Sequence, residues 1–372
     1  MEKKKKLLIA GITAAAVVVI GTAGFLYTQN SHKAETTAEE TQTTATAATV
    51  VQTTQATAAT GEVLPEGMMR SYMTGKIVPV EIGTRRPIAI QIDNEKKAQP
   101  QNGISQAEVV YEVPIEAYEV RLTMIVQDFG SMQRFGPLRS ARKYHPGIVT
   151  EFDAIFFHHG HSDLALPYLN DDRFDDVDGV ENSGYPATYE VSDHMAGHNT
   201  FSTPQKINDR IAALGIRTTV KDDFTYKYLF AGDNTPTVLA SGQDASKVSI
   251  NYKQNHPWFE YNSEDQLYYR YAYDTAAMDQ DAGRQVAVRN LIVQYCTYQL
   301  EWDKDTKDIN TVGTGTGYYI TGGKAEPVTW SKEDYWSTTH YYDETGAEIV
   351  MNQGQTWVCI VLPSLSGEIT IE

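Results

Sequence analysis

A run without a charged side chain, residues 7–27, stands directly behind four consecutive lysines. Its length matches what one helix needs to cross the hydrocarbon core of a bilayer, so it predicts a single-pass membrane anchor. The positive-inside rule then leaves the N-terminus in the cytoplasm and the C-terminal ectodomain outside the cell. Cleavage as a signal peptide stays open, because Gly21-Thr22-Ala23 is an acceptable cleavage site. No cysteine lies near the end of the run, which excludes a lipid-modified N-terminal cysteine.

A flexible tether is predicted between this anchor (residues 1–30) and the folded part. Residues 31–67 are mostly Thr, Ala, Gln and Glu, and such a segment cannot bury enough apolar surface to fold. The chain has a net charge of −17, of which residues 1–67 contribute −1, since five lysines there face six glutamates. The exported part therefore carries −16, and we predict that nucleic acid is not a partner.

The folded part is predicted to be α+β, with two domains of different character. Residues 68–235 mix strand-like runs with helical segments and predict a mixed α/β domain. One helix is marked by Thr203 as its N-cap, a proline at the first helical position and Gly215 at its end. Residues 236–372 are rich in Tyr, Val, Thr and Trp between turn residues, which is typical of a mainly antiparallel β domain.

Three local patterns predict details of this fold. Ser105 followed three residues later by Glu108 is a capping-box signal for the start of a helix. The sequence GTGTGYY, residues 313–319, lacks the lysine and the setting of a phosphate-binding loop and predicts a glycine-rich hairpin turn. Cys296 and Cys359 lie in apolar strand-like runs, which favours two buried free thiols, with a disulfide as the alternative.

Two arginines in the sequence GPLRSAR, Arg139 and Arg142, are candidates for binding a charged ligand. If a helix begins here, their spacing places both side chains on one face, beside free backbone N–H groups. Such a face would suit a phosphate or a carboxylate. The alternative is internal pairing with acidic neighbours such as Asp93, Glu112 or Glu116. The sequence leaves both open.

Three histidines end the apolar run IFFHHGHSD. Neighbouring residues of a strand point to opposite faces, so His158 and His159 cannot both bind one metal ion. His159 and His161 could do so only if the strand continued through Gly160, where a strand more readily ends. Further Cys, Asp or Glu residues do not stand at a convincing ligand spacing. We therefore predict no metal site and no cofactor.

Several long motifs resemble the YerB-like family of exported bacterial proteins, also called DUF3048. They include RPIAIQIDNEKKAQPQNGISQAEVVYE, GPLRSARKY, FDAIFFHHGHS, GHNTFST and GTGTGYYITGGKAEPVTWSK. The resemblance implies a two-part α+β envelope protein, often tethered as a lipoprotein, without an established activity; here an apolar run replaces the lipid-modified cysteine. It implies that His158 belongs to the motif and that His161 varies. The candidate ligand-binding positions that it implies are Asp93, Asn94, Glu112, Glu116, Arg121, Arg139, Ser140, Arg142, His158, Ser162, His198 and Asn199.

Two functions remain open at this point. The first is a non-catalytic module that binds an anionic cell-wall polymer or an envelope protein. The second is a cell-wall hydrolase or transferase that uses His158 or His198 as base, with Arg139 and Arg142 holding charge. We favour the first, because the motifs contain no recognisable pair of nucleophile and base. We predict that these four side chains converge on one cleft of the N-terminal domain together with Asp93.

Overall fold

One mixed sheet of eleven strands organises the part of the chain that the computed structural model describes, residues 64–181, 184 and 186–372. In chain order the strands are β1 (Ile88–Ile92), β2 (Val109–Pro114), β3 (Val120–Val126), β4 (Ile155–His158), β5 (Asp176–Asp178), β6 (Gln243–Asp244), β7 (Asn290–Tyr295), β8 (Gly313–Thr321), β9 (Lys324–Lys332), β10 (His340–Tyr342) and β11 (Thr356–Val361). Across the sheet they lie in the order β6-β9-β8-β7-β11-β2-β3-β1-β4-β5, and β10 pairs with β9.

The middle of the sheet is formed by strands that are far apart in the chain. Strand β11 lies between β7 and β2 and runs parallel to both. Strands β2 and β3 pair antiparallel, as do β3 and β1, whereas β4 runs parallel to β1. The sheet therefore joins strands from both sides of residue 235, where a domain boundary is predicted. The division into two domains stays a prediction.

Five α-helices and a second sheet complete the main elements of the described residues. The helices are α1 (Val80–Gly83), α2 (His145–Val149), α3 (Leu166–Leu169), α4 (Pro204–Leu214) and α5 (Pro363–Ser366). The second sheet contains Lys247–Ser249, Trp258–Asn262, Leu267–Ala272, Thr275–Ala276, Ala287–Val288 and Thr370–Ile371. Two-stranded pairs are Met68–Arg70 with Ile77–Pro79, Tyr189–Glu190 with Thr200–Phe201, Leu229–Phe230 with Val350–Met351, Met278–Asp279 with Arg284–Gln285, and Thr297–Leu300 with Lys307–Asn310. Short 3₁₀ turns occupy Lys96–Ala98, Ile104–Gln106, Glu116–Tyr118, Phe129–Ser131, Thr150–Phe152 and Asp163–Ala165.

The central strands of the large sheet are buried on both faces, which explains why their sequences are largely apolar. Every residue of β1 is buried, and alternate side chains pack into separate apolar clusters because strand residues alternate between faces. Ile90 packs in one cluster with Ile207 of α4 and Phe259 of the second sheet. Ala89 packs in the other cluster with Ile148 of α2. The polar residues that follow β1 therefore emerge from a rigid, well-packed strand.

The fold is mainly β, as predicted for the second half. Among the described residues, only α4 exceeds five residues, so the expected mixed α/β character of residues 68–235 is not confirmed. Helix α4 itself is confirmed: the Thr203 side chain accepts from the Lys206 N–H, and Gly215 ends the helix with φ of 68°. The predicted anchor and residues 31–63 of the tether lie outside the described residues. No described helix combines the length and hydropathy needed to span a bilayer.

Two local predictions are wrong. Ser105 does not cap an α-helix; it lies in a 3₁₀ turn, and its N–H and hydroxyl both donate to the Asp279 carboxylate. The glycines of GTGTGYY do not form a turn but lie in strand β8. They allow close approach, since a Cβ on Gly315 would lie 2.6 Å from the Trp330 ring. The two cysteines are free and buried, as favoured by the sequence.

Candidate functional site

Asp93, the first residue after strand β1, is the centre of the candidate site. Its carboxylate is buried at 2% exposure and lies 2.7 Å from Arg139 Nε. His198 Nδ1 lies 2.8 Å from the same carboxylate oxygen. The Arg139 N–H donates to the Gln91 carbonyl, which fixes the arginine alongside β1. Three motif residues from distant parts of the chain thus meet at one carboxylate.

The His198 ring has two competing partners at Nδ1. Besides the Asp93 oxygen, Arg139 Nη2 lies 2.9 Å away. A protonated Nδ1 can donate to Asp93, whereas an unprotonated Nδ1 can accept from Arg139, and one nitrogen cannot do both. The protonation state at Nδ1 therefore decides whether His198 is bound to the carboxylate or to the guanidinium.

Glu95 completes this cluster at its open side. Its carboxylate accepts from Arg139 Nη2 at 3.1 Å, and the two side chains are 29% and 27% exposed. Ligand atoms of Asp93, Glu95 and His198 lie within 4.8 Å of one another, a spacing that a metal ion could use. The Arg139 guanidinium contacts all three groups, so a metal ion would have to displace it. The predicted absence of metal stays a prediction.

Arg142 belongs to a separate ion pair. Its Nε donates to Glu116 at 2.6 Å, and its Nη1 donates to the Ser140 hydroxyl at 3.0 Å. Burial acts to raise the pKa of Glu116, but the hydrogen bond and the charge of Arg142 outweigh burial and lower that pKa. The helix expected to begin near Arg139 is wrong: α2 begins at His145. The segment does not form a helix: the Arg139 N–H donates to the Gln91 carbonyl of β1, and the Ala141 N–H donates to the Gly160 carbonyl in the loop after β4.

Ser140 is held by two arginines. The Ser140 hydroxyl accepts from Arg142 and, at 3.3 Å, from Arg121 Nη1, which also donates to the Ser140 carbonyl at 2.6 Å. Burial lowers the pKa of Arg121 to about 10. A hydroxyl fixed as an acceptor between guanidinium groups, with no histidine bonded to it, is not activated as a nucleophile.

Glu112 lies in a buried network that crosses between the two halves of the chain. It is completely buried, and its carboxylate accepts from Arg270 at 2.9 Å, Asn255 at 2.7 Å and the Trp357 indole at 2.9 Å. Asn94 also donates to it at 3.3 Å. A buried carboxylate with this many donors is fully compensated, so Glu112 has a structural role.

His158 is likewise buried and occupied. Its Nδ1 lies 2.8 Å from the Gly160 carbonyl, and its Nε2 lies 3.0 Å from Asp176. Both ring nitrogens therefore face acceptors, and the side chain has no exposed surface for a substrate. Of the remaining motif residues, Asn199 bonds to the Val191 carbonyl, and Ser162 has a buried hydroxyl without a hydrogen-bond partner among the described residues.

The structure thus brings together part of the predicted set. Asp93, Arg139 and His198 converge, whereas His158 and Arg142 bind other partners. Both arginines are paired internally, which was the alternative to an anion site. Sequence reasoning missed Glu95, Asp176, Arg270, Asn255 and Trp357, which have no common motif or spacing and become partners only through the fold.

Fold and site together define a mainly β protein whose two halves share one sheet and a charge-compensated polar interior. The chain belongs to the DUF3048 family. Residues 73–217 match the N-terminal domain and residues 248–358 the C-terminal domain of the family described as "Protein of unknown function (DUF3048)".

A relative with a solved structure supports the same assignment. The chain is 24% identical over 297 residues to "Putative lipoprotein YerB" of Bacillus subtilis (strain 168), which covers 79% of this chain and 86% of that protein. The crystal structure of YerB from Bacillus subtilis superposes with a TM-score of 0.72 at 23% identity, covering 81% of this chain and 99% of that one. The fold is therefore shared along nearly the whole length of YerB.

Proposed function

We propose that this protein is a non-catalytic binding module of the cell envelope, held at the outer face of the membrane by residues 7–27. Its similarity to a protein named as a lipoprotein supports a place at the membrane. The uncharged run behind four lysines supports a helical anchor. Protease added to wall-stripped cells should digest the ectodomain, and protection of residues 64–372 would contradict this topology.

The ligand that we propose is an anionic wall polymer or an acidic surface of an envelope protein, bound at Arg139. One observation carries this proposal: Nε of Arg139 lies against the buried Asp93 carboxylate, while Nη2 of the same side chain donates to the partly exposed Glu95 carboxylate. A carboxylate or phosphate of a ligand can take the place of the Glu95 carboxylate without disturbing the buried pair. Hydrogen bonds to a charged group contribute about 1.5–3 kcal/mol, which sets the expected size of the effect.

Opposite changes at two positions test this exchange. Glu95→Gln removes the competing carboxylate and should strengthen binding of an anionic wall polymer. Arg139→Lys keeps a charge beside Asp93 but loses the forked contact, and should weaken binding. Arg85→Lys is the matched control, because Arg85 has a similar exposure of 26% and also pairs with surface carboxylates. Equal affinity of all variants for wall teichoic acid would overturn the site.

A second function is favoured by one observation, the contact of 2.8 Å between His198 and Asp93. A histidine oriented by a buried carboxylate is the arrangement of a general base, which would suit hydrolysis of wall glycan or peptide. His158 does not suit this role, because both of its ring nitrogens are engaged. Mass spectrometry of wall fragments incubated with the protein decides between the two: new products lost in His198→Gln would favour hydrolysis, and retention without products would favour binding.

A further inference from the structure

The segment that carries Arg142 continues into a cleft of about 460 Å³. Lys143 and Tyr144 line it, together with residues 297–299 and 308–310 of the strand pair Thr297–Leu300 with Lys307–Asn310. Tyr168 and Tyr335 complete the lining. None of the residues that line it is a candidate ligand-binding position named from the sequence, and none belongs to the Asp93 cluster, so the cleft is a separate surface.

Aromatic side chains in this cleft are held in place before any ligand arrives. The rings of Tyr168 and Tyr335 stack with centroids 4.3 Å apart. The Tyr335 hydroxyl donates to the Lys143 carbonyl, and the ring packs on Gly147, where an added Cβ would lie 3.0 Å from it. Tyr335 thereby supports Tyr168, which is half-buried and offers a rigid aromatic surface.

Several hydroxyl and amide groups near these rings have no hydrogen-bond partner in the part of the chain that the structure describes. The hydroxyls of Tyr168 and Tyr298 and the amide of Gln299 have no hydrogen-bond partner among the described residues. The Asn310 side-chain oxygen accepts from the Val312 N–H, which leaves its amide group free to donate. Phenols and amides of this kind can both donate and accept, as a ligand rich in hydroxyl groups requires.

The charges at the cleft are nearly balanced, with an excess of negative charge. Lys143 Nζ lies 3.0 Å from Glu301 and 2.6 Å from Asp308, so one ammonium faces two carboxylates. A phosphate or a uronate would be repelled by this excess. An acyl chain would find few aliphatic side chains, since Ile309 and Val312 are the aliphatic residues of the lining. The chemistry that remains is an uncharged, hydroxyl-bearing ring.

We propose that this cleft binds uncharged sugar residues of an envelope glycan. A sugar ring presents C–H groups that pack on an aromatic face and hydroxyls or acetamido groups that pair with phenols and amides. The proposal rests on the envelope location given above, and it goes beyond the anion exchange at Arg139 because it concerns another surface and another part of a wall polymer.

A neighbouring cleft indicates a chain of sugars rather than a single one. Tyr335 lines the first cleft, and the next residue, Trp336, lines a second cleft of about 240 Å³. The two rings are 4.8 Å apart, and the Arg173 guanidinium lies 4.6 Å from the Trp336 centroid. Adjacent aromatic residues that serve adjacent clefts suit a linear polymer.

The test uses the full chain in detergent and the β-1,4-linked tetramer of N-acetylglucosamine as the probe, followed by calorimetric titration. Tyr168→Ala and Tyr298→Ala should each weaken binding about tenfold or more. Trp302→Ala is the control: Trp302 is 84% exposed in the turn of the same strand pair but does not line the cleft, and binding should stay within about twofold. Thermal unfolding of each variant confirms that the fold is intact.

Co-sedimentation with purified wall sacculi separates this inference from the proposed function. Binding to sacculi without binding to the tetramer overturns the cleft proposal and leaves the envelope module standing. Tetramer binding that Tyr168→Ala and Trp302→Ala reduce equally also overturns the cleft. Tetramer binding without sacculus binding supports the cleft and contradicts the wall as its place of action. Binding to neither contradicts both.

Discussion

Glu151 is paired with two buried lysines, and its replacement by glutamine should strongly destabilise the protein. The carboxylate is 2% exposed, and it accepts from Lys227 Nζ, from Lys332 Nζ at 2.6 Å and from the Thr339 hydroxyl at 2.8 Å. Both lysine side chains are at most 1% exposed. The three side chains together carry one positive charge, so the balance depends on this one carboxylate.

The magnitude follows from this arrangement. Glu151→Gln keeps the shape but leaves two buried ammonium groups without a counter-charge, and breaking a buried pair costs about 3–5 kcal/mol. A domain has a free energy of unfolding of about 5–15 kcal/mol, so this loss is a large fraction. At roughly 2–4 °C for each kcal/mol, the Tm should fall by roughly 6–20 °C.

Lys227→Met is the matched control. It leaves Glu151 paired one to one with Lys332, and a methionine suits a site where Lys227 lies over the rings of Phe152 and Tyr341. We expect a loss of about 1 kcal/mol or less, since a buried ion can often be replaced by an apolar side chain at little cost. Calorimetric unfolding at pH 7 measures both. A fall in Tm as large for Lys227→Met as for Glu151→Gln would refute the charge-balance argument.

The same carboxylate predicts a pH dependence. Burial acts to raise the pKa of Glu151, but the charges of Lys227 and Lys332 and their hydrogen bonds outweigh burial and lower that pKa to about 2. The unfolded carboxyl titrates near its ordinary value of 4.5, so between these values the native state binds fewer protons. This stabilisation is complete above pH 4.5 and is lost toward pH 2. The difference in Tm between parent and Glu151→Gln should therefore shrink as the pH falls through this window.

Further predictions concern backbone packing, the thiols and the sheet. Gly317→Ala should destabilise β8 by about 2 kcal/mol or more, because its Cβ would lie 1.9 Å from a carbonyl oxygen of β7, whereas Gly130→Ala should be nearly neutral, with its nearest atom at 3.6 Å. Thermal unfolding of both checks this. Burial raises the pKa of Cys296 to about 12 and raises the pKa of Cys359 well above its ordinary value, so neither thiol should react with a thiol reagent at pH 8 until the protein unfolds. Residues 64–235 expressed alone should show no cooperative unfolding by calorimetry, because β11 would be missing from the middle of the sheet.

The local signals at both ends of α4 predicted that helix correctly, whereas the capping-box signal at Ser105 did not mark an α-helix. Helix α4 follows from Thr203 and Gly215, which act on the turns beside them and need no distant partner. The glycine-rich sequence of β8 misled for the opposite reason. Its glycines leave room for the Trp330 ring and for a carbonyl group of β7. Both groups come close to the glycines only because the strands pair, which a local sequence pattern does not show.

Three members of the candidate site were named from the sequence, but Glu95 and the connections between the side chains were not. Asp93, Arg139 and His198 were named together, and they do converge. Arg139 and Arg142 do not share a helix face. A helix uses its backbone N–H groups for internal hydrogen bonds, whereas N–H groups of this segment bond to carbonyls of β1 and of the loop after β4. The partner of each arginine could not be chosen from several nearby carboxylates by spacing alone.

Glu112 is a motif residue that joins the fold rather than one that can contact a ligand. Glu112 stands on β2, yet its donors Arg270, Asn255 and Trp357 all come from the second half of the chain. It therefore ties the two halves together at the point where β11 pairs with β2. A side chain with such a role is buried and fully bonded, which is also what prevents it from contacting a ligand. Binding groups must instead reach the surface, as Arg139 does at 27% exposure and as the half-buried ring of Tyr168 does in its cleft.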